Sequence, residues 1–227
     1  MNTSLKIKNI VLVGITLPAN MDRYFFVKNG IFKEEEIQPA SIFSPGFLRI
    51  ITEKYSIVSN LMANPVNPAV FINQLILTVN TPSSDDKLSE IMTSIVKSAN
   101  LINCTSLGMN FHWYMNYEGK ETSHEISKKY FYSDKIKLFS DFFTTDDAHY
   151  GVYASKNIKK ARLKLDVKPI LYNDIIPVVS IGKSAIQFGF NFHIDVDKKE
   201  STAELIGHLS EYNEYFKESE KIMSIYK

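Results

Sequence analysis

Alternation of apolar and polar residues marks most of the chain as strand. Residues 6–17 alternate well enough to predict a first strand. Residues 47–52 and 55–60 give two more around the polar pair Glu53-Lys54, a hairpin pattern. Between them, residues 20–30 suit either a strand or a short helix, and Glu34, Glu35 and Glu36 form a solvated charge run. Asn64-Pro65 and Asn67-Pro68 predict a turn-rich connection, and residues 71–79 a buried strand.

Period two then gives way to period 3.6. Pro82-Ser83-Ser84-Asp85 opens a helix whose Leu88, Ile91, Met92, Ile95, Val96 and Ala99 follow the i, i+3, i+4, i+7 rule, with Asn100 as its stop. A strand over 105–117 follows, so residues 71–117 predict a β-α-β unit. Residues 118–147 are more polar and predict two short helices, at 121–130 and 134–143. Four strand-like segments come next, at 149–154, 162–171, 175–180 and 185–196, with turns at Asn173-Asp174 and Gly182-Lys183. Ser201 and Glu204 form a capping-box pattern ahead of a last helix carrying Leu205, Leu209, Tyr212, Phe216 and Met223 on one face. Helices are too few for a doubly wound parallel sheet. The predicted class is α+β: a mostly antiparallel sheet, one large or two related, with the two long helices packed on one face. Residues 1–227 are expected to form a single domain, with 1–117 and 118–227 as candidate pseudo-related halves.

Composition narrows the function classes. A net charge of +1 argues against a generic binder of nucleic acid or membrane surfaces. Arg23, Arg49 and Arg162 are the only arginines, which argues against a reader of guanine edges. Cys104 is the sole cysteine, so neither an intrachain disulfide nor a multi-cysteine metal site can form. No apolar run approaches the ~20 residues of a membrane span, and the first apolar run leads into Pro18-Ala19-Asn20 without a signal-peptidase pattern. The expected location is the cytoplasm. The Lys-, Ile- and Asn-rich vocabulary points to an AT-rich bacterial or phage genome.

One motif occurs twice. Gly108-Met109-Asn110-Phe111-His112-Trp113 and Gly189-Phe190-Asn191-Phe192-His193-Ile194 both read G-apolar-N-F-H-apolar. Alternation puts Asn110, His112 and Tyr114 on the polar face of one strand, and Asn191, His193 and Asp195 on that of the other. If the strands are neighbours, the four Asn and His side chains are expected to converge, and the glycines to mark a bulge or a close approach. Lys156, Lys159, Lys160, Arg162, Lys164 and Lys168 form the one basic cluster, either a phosphate-contacting strip or a charged edge strand.

Catalytic signatures are missing. Gly182-Lys183-Ser184 resembles the tail of a P-loop, but Pro177 stands where the first glycine belongs and a strand follows. His193-x-Asp195-x-Asp197 and Asp146-Asp147-Ala148-His149 are weak metal candidates, and no metal, cofactor or catalytic residue is assigned from the sequence. The sequence points first to a non-enzymatic binding or assembly subunit acting with a protein partner or as a homo-oligomer. Two alternatives stand beside it. One is a nucleic-acid-associated protein using the basic strand. The other is a hydrolase or nuclease using His112, His193 and Asp195. The candidate binding residues are Asn110, His112, Tyr114, Asn191, His193, Asp195, Lys160, Arg162 and Lys164.

Overall fold

The computed structural model describes residues 2–16, 21–44, 47–63, 71–83, 86–101, 103–116, 122–145, 147–170, 185–197 and 202–226. The turns expected at Asn64-Pro65, Asn67-Pro68 and Asn173-Asp174, the strand at 175–180, the Gly182-Lys183-Ser184 segment, Asp146 and Ser201 lie outside the described residues. Among the described residues nine strands form one sheet: β1 (Asn2–Val13), β2 (Ile42–Ser44), β3 (Phe47–Ile51), β4 (Tyr55–Ala63), β5 (Phe71–Val79), β6 (Ser106–Asn116), β7 (Val152–Ile158), β8 (Ala161–Ile170) and β9 (Ala185–Asp195). Their order is β2-β3-β4-β5-β1-β6-β9-β8-β7, and every neighbouring pair is antiparallel. The helices are α1 (Arg23–Lys28), α2 (Leu88–Ala99), α3 (Ser123–Phe131), α4 (Lys137–Asp141), α5 (Thr202–Ser210) and α6 (Tyr212–Met223). The chain is therefore α+β on one antiparallel sheet.

Register divides the sheet into two chemically different faces. Directly paired residues share a face. Leu77, Ile10, Met109, Phe192 and Leu163 form one continuous apolar row across five strands. Thr78, Asn9, Asn110, Asn191 and Lys164 form the adjacent polar row on the other side. Aromatic rings seal the apolar side. Phe111 is fully buried, with its ring centroid 5.3 Å from both Tyr212 and Phe216 of α6. Trp113 stacks on Phe216 at 6.2 Å and donates its indole N–H to Ser219 Oγ at 3.2 Å. Burying such a ring contributes roughly 1.5–3 kcal/mol. Leu88, Met92, Ile95 and Val96 of α2 are buried at its contacts with β1, β5 and α5.

Chain connectivity repeats within this sheet. β1 is followed by α1, the meander β2-β3-β4-β5 and α2; β6 is followed by α3 and α4, the meander β7-β8-β9, which is one strand shorter, and α5 with α6. In each set the last meander strand pairs with the first strand, β5 with β1 and β9 with β6. The two first strands pair with each other at the centre.

Several elements differ from expectation. Residues 23–28 are helical because Asp22 caps them, its carboxylate accepting from the Phe25 N–H at 2.8 Å. The short edge strand β2 had no alternation long enough to notice. The last helix is broken at Glu211 into α5 and α6. β5 and β6 are not hydrogen-bonded to each other, since β1 lies between them. β7 begins at Val152, three residues later than expected, after Gly151 has passed so close to β8 that a Cβ there would stand 2.5 Å from the Val167 carbonyl oxygen.

Candidate functional site

The two G-x-N-F-H strands are β6 and β9, hydrogen-bonded neighbours running antiparallel. Their register is centred on Asn110 opposite Asn191, with His112 opposite Gly189 and His193 opposite Gly108. The two asparagines therefore meet, and the two histidines separate. His193 lies beside Gly108, four residues or about 14 Å along the strand from His112. Expected convergence of all four side chains is corrected accordingly: both imidazoles occupy the polar face, but at opposite ends of the motif. No bulge occurs in the continuous 106–116 pairing, and a Cβ at either motif glycine would find ordinary contacts of 3.5 Å or more. The glycines leave room opposite each histidine instead.

At the centre, the polar side chains are wired together. Asn191 Nδ2 donates to Asn110 Oδ1, and Asn110 Nδ2 donates to Asn9 Oδ1 at 2.6 Å. This amide chain crosses three strands. Gln187 is hydrogen-bonded to His112 Nδ1 at 3.2 Å, and His193 Nε2 lies 3.0 Å from Asp195 Oδ1. Burial holds the His112 imidazole below its ordinary value; Lys168 pushes the same way and Asp166 opposes. Burial also raises the Tyr114 phenol. Asp195 is almost fully exposed at the strand end. Among the described residues no three His, Cys, Asp or Glu side chains are grouped to hold a metal ion.

The basic cluster divides between the two faces. Lys156 pairs with Leu163 and so sits on the apolar side, while Lys159 in the β7–β8 turn pairs with Glu214 of α6. Lys160 is exposed in the same turn. Arg162, Lys164 and Lys168 share the polar face, opposite His193, Asn191 and Gln187. Arg162 donates to Ser155 Oγ at 2.6 Å and Asn157 Oδ1 at 3.1 Å, and Lys168 lies 3.2 Å from Asp166. β8 is not an edge strand, since β7 lies outside it.

Three features escaped the sequence patterns. The first is a buried ion pair: Lys8 Nζ lies 2.6 Å from Asp86 Oδ2, each side chain 2% exposed. The ammonium also donates to the Ser83 carbonyl at 3.0 Å and sits 3.9 Å from the Phe216 ring centre. The Tyr212 hydroxyl is raised by burial and then by the Asp86 charge. The second is a groove of about 660 Å³ lined by Glu35, Glu36, Glu53, Lys54, Lys87 and Glu90. The third is a set of exposed apolar side chains in and next to α4, namely Ile136, Leu138 (58%), Phe142 (74%) and Phe143 (39%), and at the start of β7, namely Val152 (42%) and Tyr153 (65%). Phe139, Phe143, Tyr150, Val152 and Tyr153 line one shallow cavity of about 310 Å³ there. A signal for this patch was present in the sequence, since Leu138, Phe142 and Phe143 crowd a segment otherwise polar.

No described helix is long and apolar enough to cross a membrane. No protein-family model, curated protein or solved structure matches the chain.

Proposed function

We propose that the protein is a non-enzymatic binding or assembly subunit that engages a protein through the α4–β7 end of its sheet. The carrying observation is the clustering of large exposed apolar side chains at α4 and β7. Exposed apolar groups scattered singly need no explanation, but here the Phe142 and Phe143 rings stand 5.1 Å apart and Phe143 shares a cavity with Val152 and Tyr153 beside a sheet edge, a grouping that fits a partner surface. The proposal takes α2 and α6 to cover the same side of the sheet, and residues 71–117 to be a β-α-β unit split by β1. The burial of Leu75, Leu77, Phe111 and Phe192 in one core with both helices supports this. It also takes the repeated connectivity as a division into pseudo-related halves. Affinity capture with the natural chain and with Leu138→Glu/Phe142→Glu tests the function. A protein, or a second copy, held by the first and lost from the second is expected. A chain that stays at 26.0 kDa and retains nothing overturns it.

A nucleic-acid reading has its own support in Arg162, Lys164 and Lys168, which flank the amide chain on the polar face. Amides suit base edges and cations suit phosphates. Retardation of RNA or DNA that weakens steeply with salt and is reduced in Lys164→Glu is its expected result. The absence of any retardation at low salt removes it.

A further inference from the structure

We infer that the partner at this end of the sheet is a second copy of the chain, joined through antiparallel self-pairing of β7 about Ser155. The inference rests on the protein-binding proposal above and names its occupant.

The two ends of the sheet are built differently. β2 ends one side with three residues, and a very short strand is a poor template for pairing. β7 ends the other with seven, roughly 24 Å of backbone edge with no described strand beyond it. Lys156 is its one charged residue. Pairing with β8 places Tyr153, Ser155 and Asn157 on the polar face, and Val152, Ala154, Lys156 and Ile158 on the other.

Self-pairing centred on Ser155 satisfies this pattern. Ser155 meets Ser155 of the other copy, Tyr153 meets Asn157, Ala154 meets Lys156 and Val152 meets Ile158. Like charges never oppose each other. Centring on Lys156 instead sets ammonium against ammonium, which cross-strand pairing penalises. The favoured register also keeps each face continuous across the dimer, because residues of equal parity meet. It sets Val152, with Phe143 beside it in the 310 Å³ cavity, toward the other copy's Ile158. Val152, one of the exposed apolar side chains, is thereby covered by the same contact that satisfies the strand edge.

The test reads mass and register separately. Light scattering is expected to give twice the 26.0 kDa chain mass. Ala154→Lys places a second ammonium opposite Lys156 at both symmetric positions and is expected to return the chain to monomer. Both positions are exposed, so an unchanged circular dichroism spectrum should accompany that loss. Ala154→Lys with Lys156→Glu restores complementary charge and is expected to restore the dimer. Under mild oxidation, Ser155→Cys should crosslink to itself, and Tyr153→Cys should crosslink only when mixed with Asn157→Cys; native Cys104 is buried and should stay silent. A monomer at every concentration overturns self-pairing. If that monomer still captures a different protein through Leu138 and Phe142, the proposed function survives alone. A dimer indifferent to both charge variants, or crosslinked in another register, also overturns the inference.

Discussion

Replacing Asp86 with Asn should be among the most damaging single changes available in this chain. The substitution keeps side-chain shape and removes the negative charge facing Lys8. The Lys8 side chain is 2% exposed, and its ammonium would be left with neutral partners: the Ser83 carbonyl, the Phe216 and Tyr212 rings and the new amide oxygen. Coulomb attraction between a buried pair is offset by the cost of drying both ions, so the intact pair stabilises little compared with apolar residues. Removing one partner is different, because the desolvation cost of the remaining ion stays. Such losses cost about 3–5 kcal/mol, which in a chain of this size lowers Tm by roughly 6–20 °C. Calorimetry and urea unfolding of Asp86→Asn, Lys8→Met and the Lys8→Met/Asp86→Leu pair form the assay. The single variants should each be strongly destabilised, and the double variant should recover most of the loss. An Asp86→Asn protein within about 1 kcal/mol of the natural chain would refute the claim that this charge is dry.

Three further outcomes are expected. Leu209→Ala, at a fully buried site on α5, should cost roughly 2–5 kcal/mol in chemical denaturation. Gly151→Ala should destabilise the start of the β7–β8 pairing, visible as faster amide exchange there, because the new Cβ drives into the Val167 carbonyl. His112 is held below its ordinary pKa of 6.5, so the unfolded chain binds its proton first as pH falls. Its contribution is present above about pH 6.5 and is lost below it. His112→Gln should therefore flatten part of the acid limb of a stability–pH curve, while an identical limb would count against the buried neutral imidazole.

The sheet was legible where alternation ran unbroken. β5 begins and ends at the expected residues, and β6 and β9 differ from expectation by a residue or so at an end, since long period-two runs have one comfortable phase. Lys8 was illegible for the opposite reason. Leu5, Lys6, Ile7 and Lys8 read as apolar-in, polar-out, which would place both lysines with the polar face. The register shifts between Leu5 and Ile7, inserting Lys6 as an extra residue. Everything after the shift changes sides, so Ile7 joins the His112 row and Lys8 joins Phe111 inside. A faint clue existed, because Lys8 is in phase with Ile10 and Leu12. Its partner Asp86, 78 residues away, gave none. The α3 cap was readable and missed: Thr122 and Glu125 make a reciprocal capping box that starts the helix at Ser123.

The repeated motif shows why a resemblance between two strands differs from a resemblance between two halves. β6 and β9 share six chemical positions, yet β6 opens the second connectivity set and β9 closes its meander. Under the repeated connectivity, the counterpart of β6 is β1, and the counterpart of β9 is β5. Register makes the same assignment at the centre: Asn9 stands between Thr78 and Asn110 as Asn110 stands between Asn191 and Asn9. The amide chain thus joins the first strands of both sets, and the motif's likeness reflects two adjacent strands meeting the same demands. Each needs aromatic bulk under α6, an amide for the central row and a small residue opposite its neighbour's imidazole. That pressure acts on a strand pair without any duplication behind it. The connectivity repeat is a different kind of likeness: it sets the elements from β1 to α2 beside those from β6 to α6, with its boundary between α2 and β6.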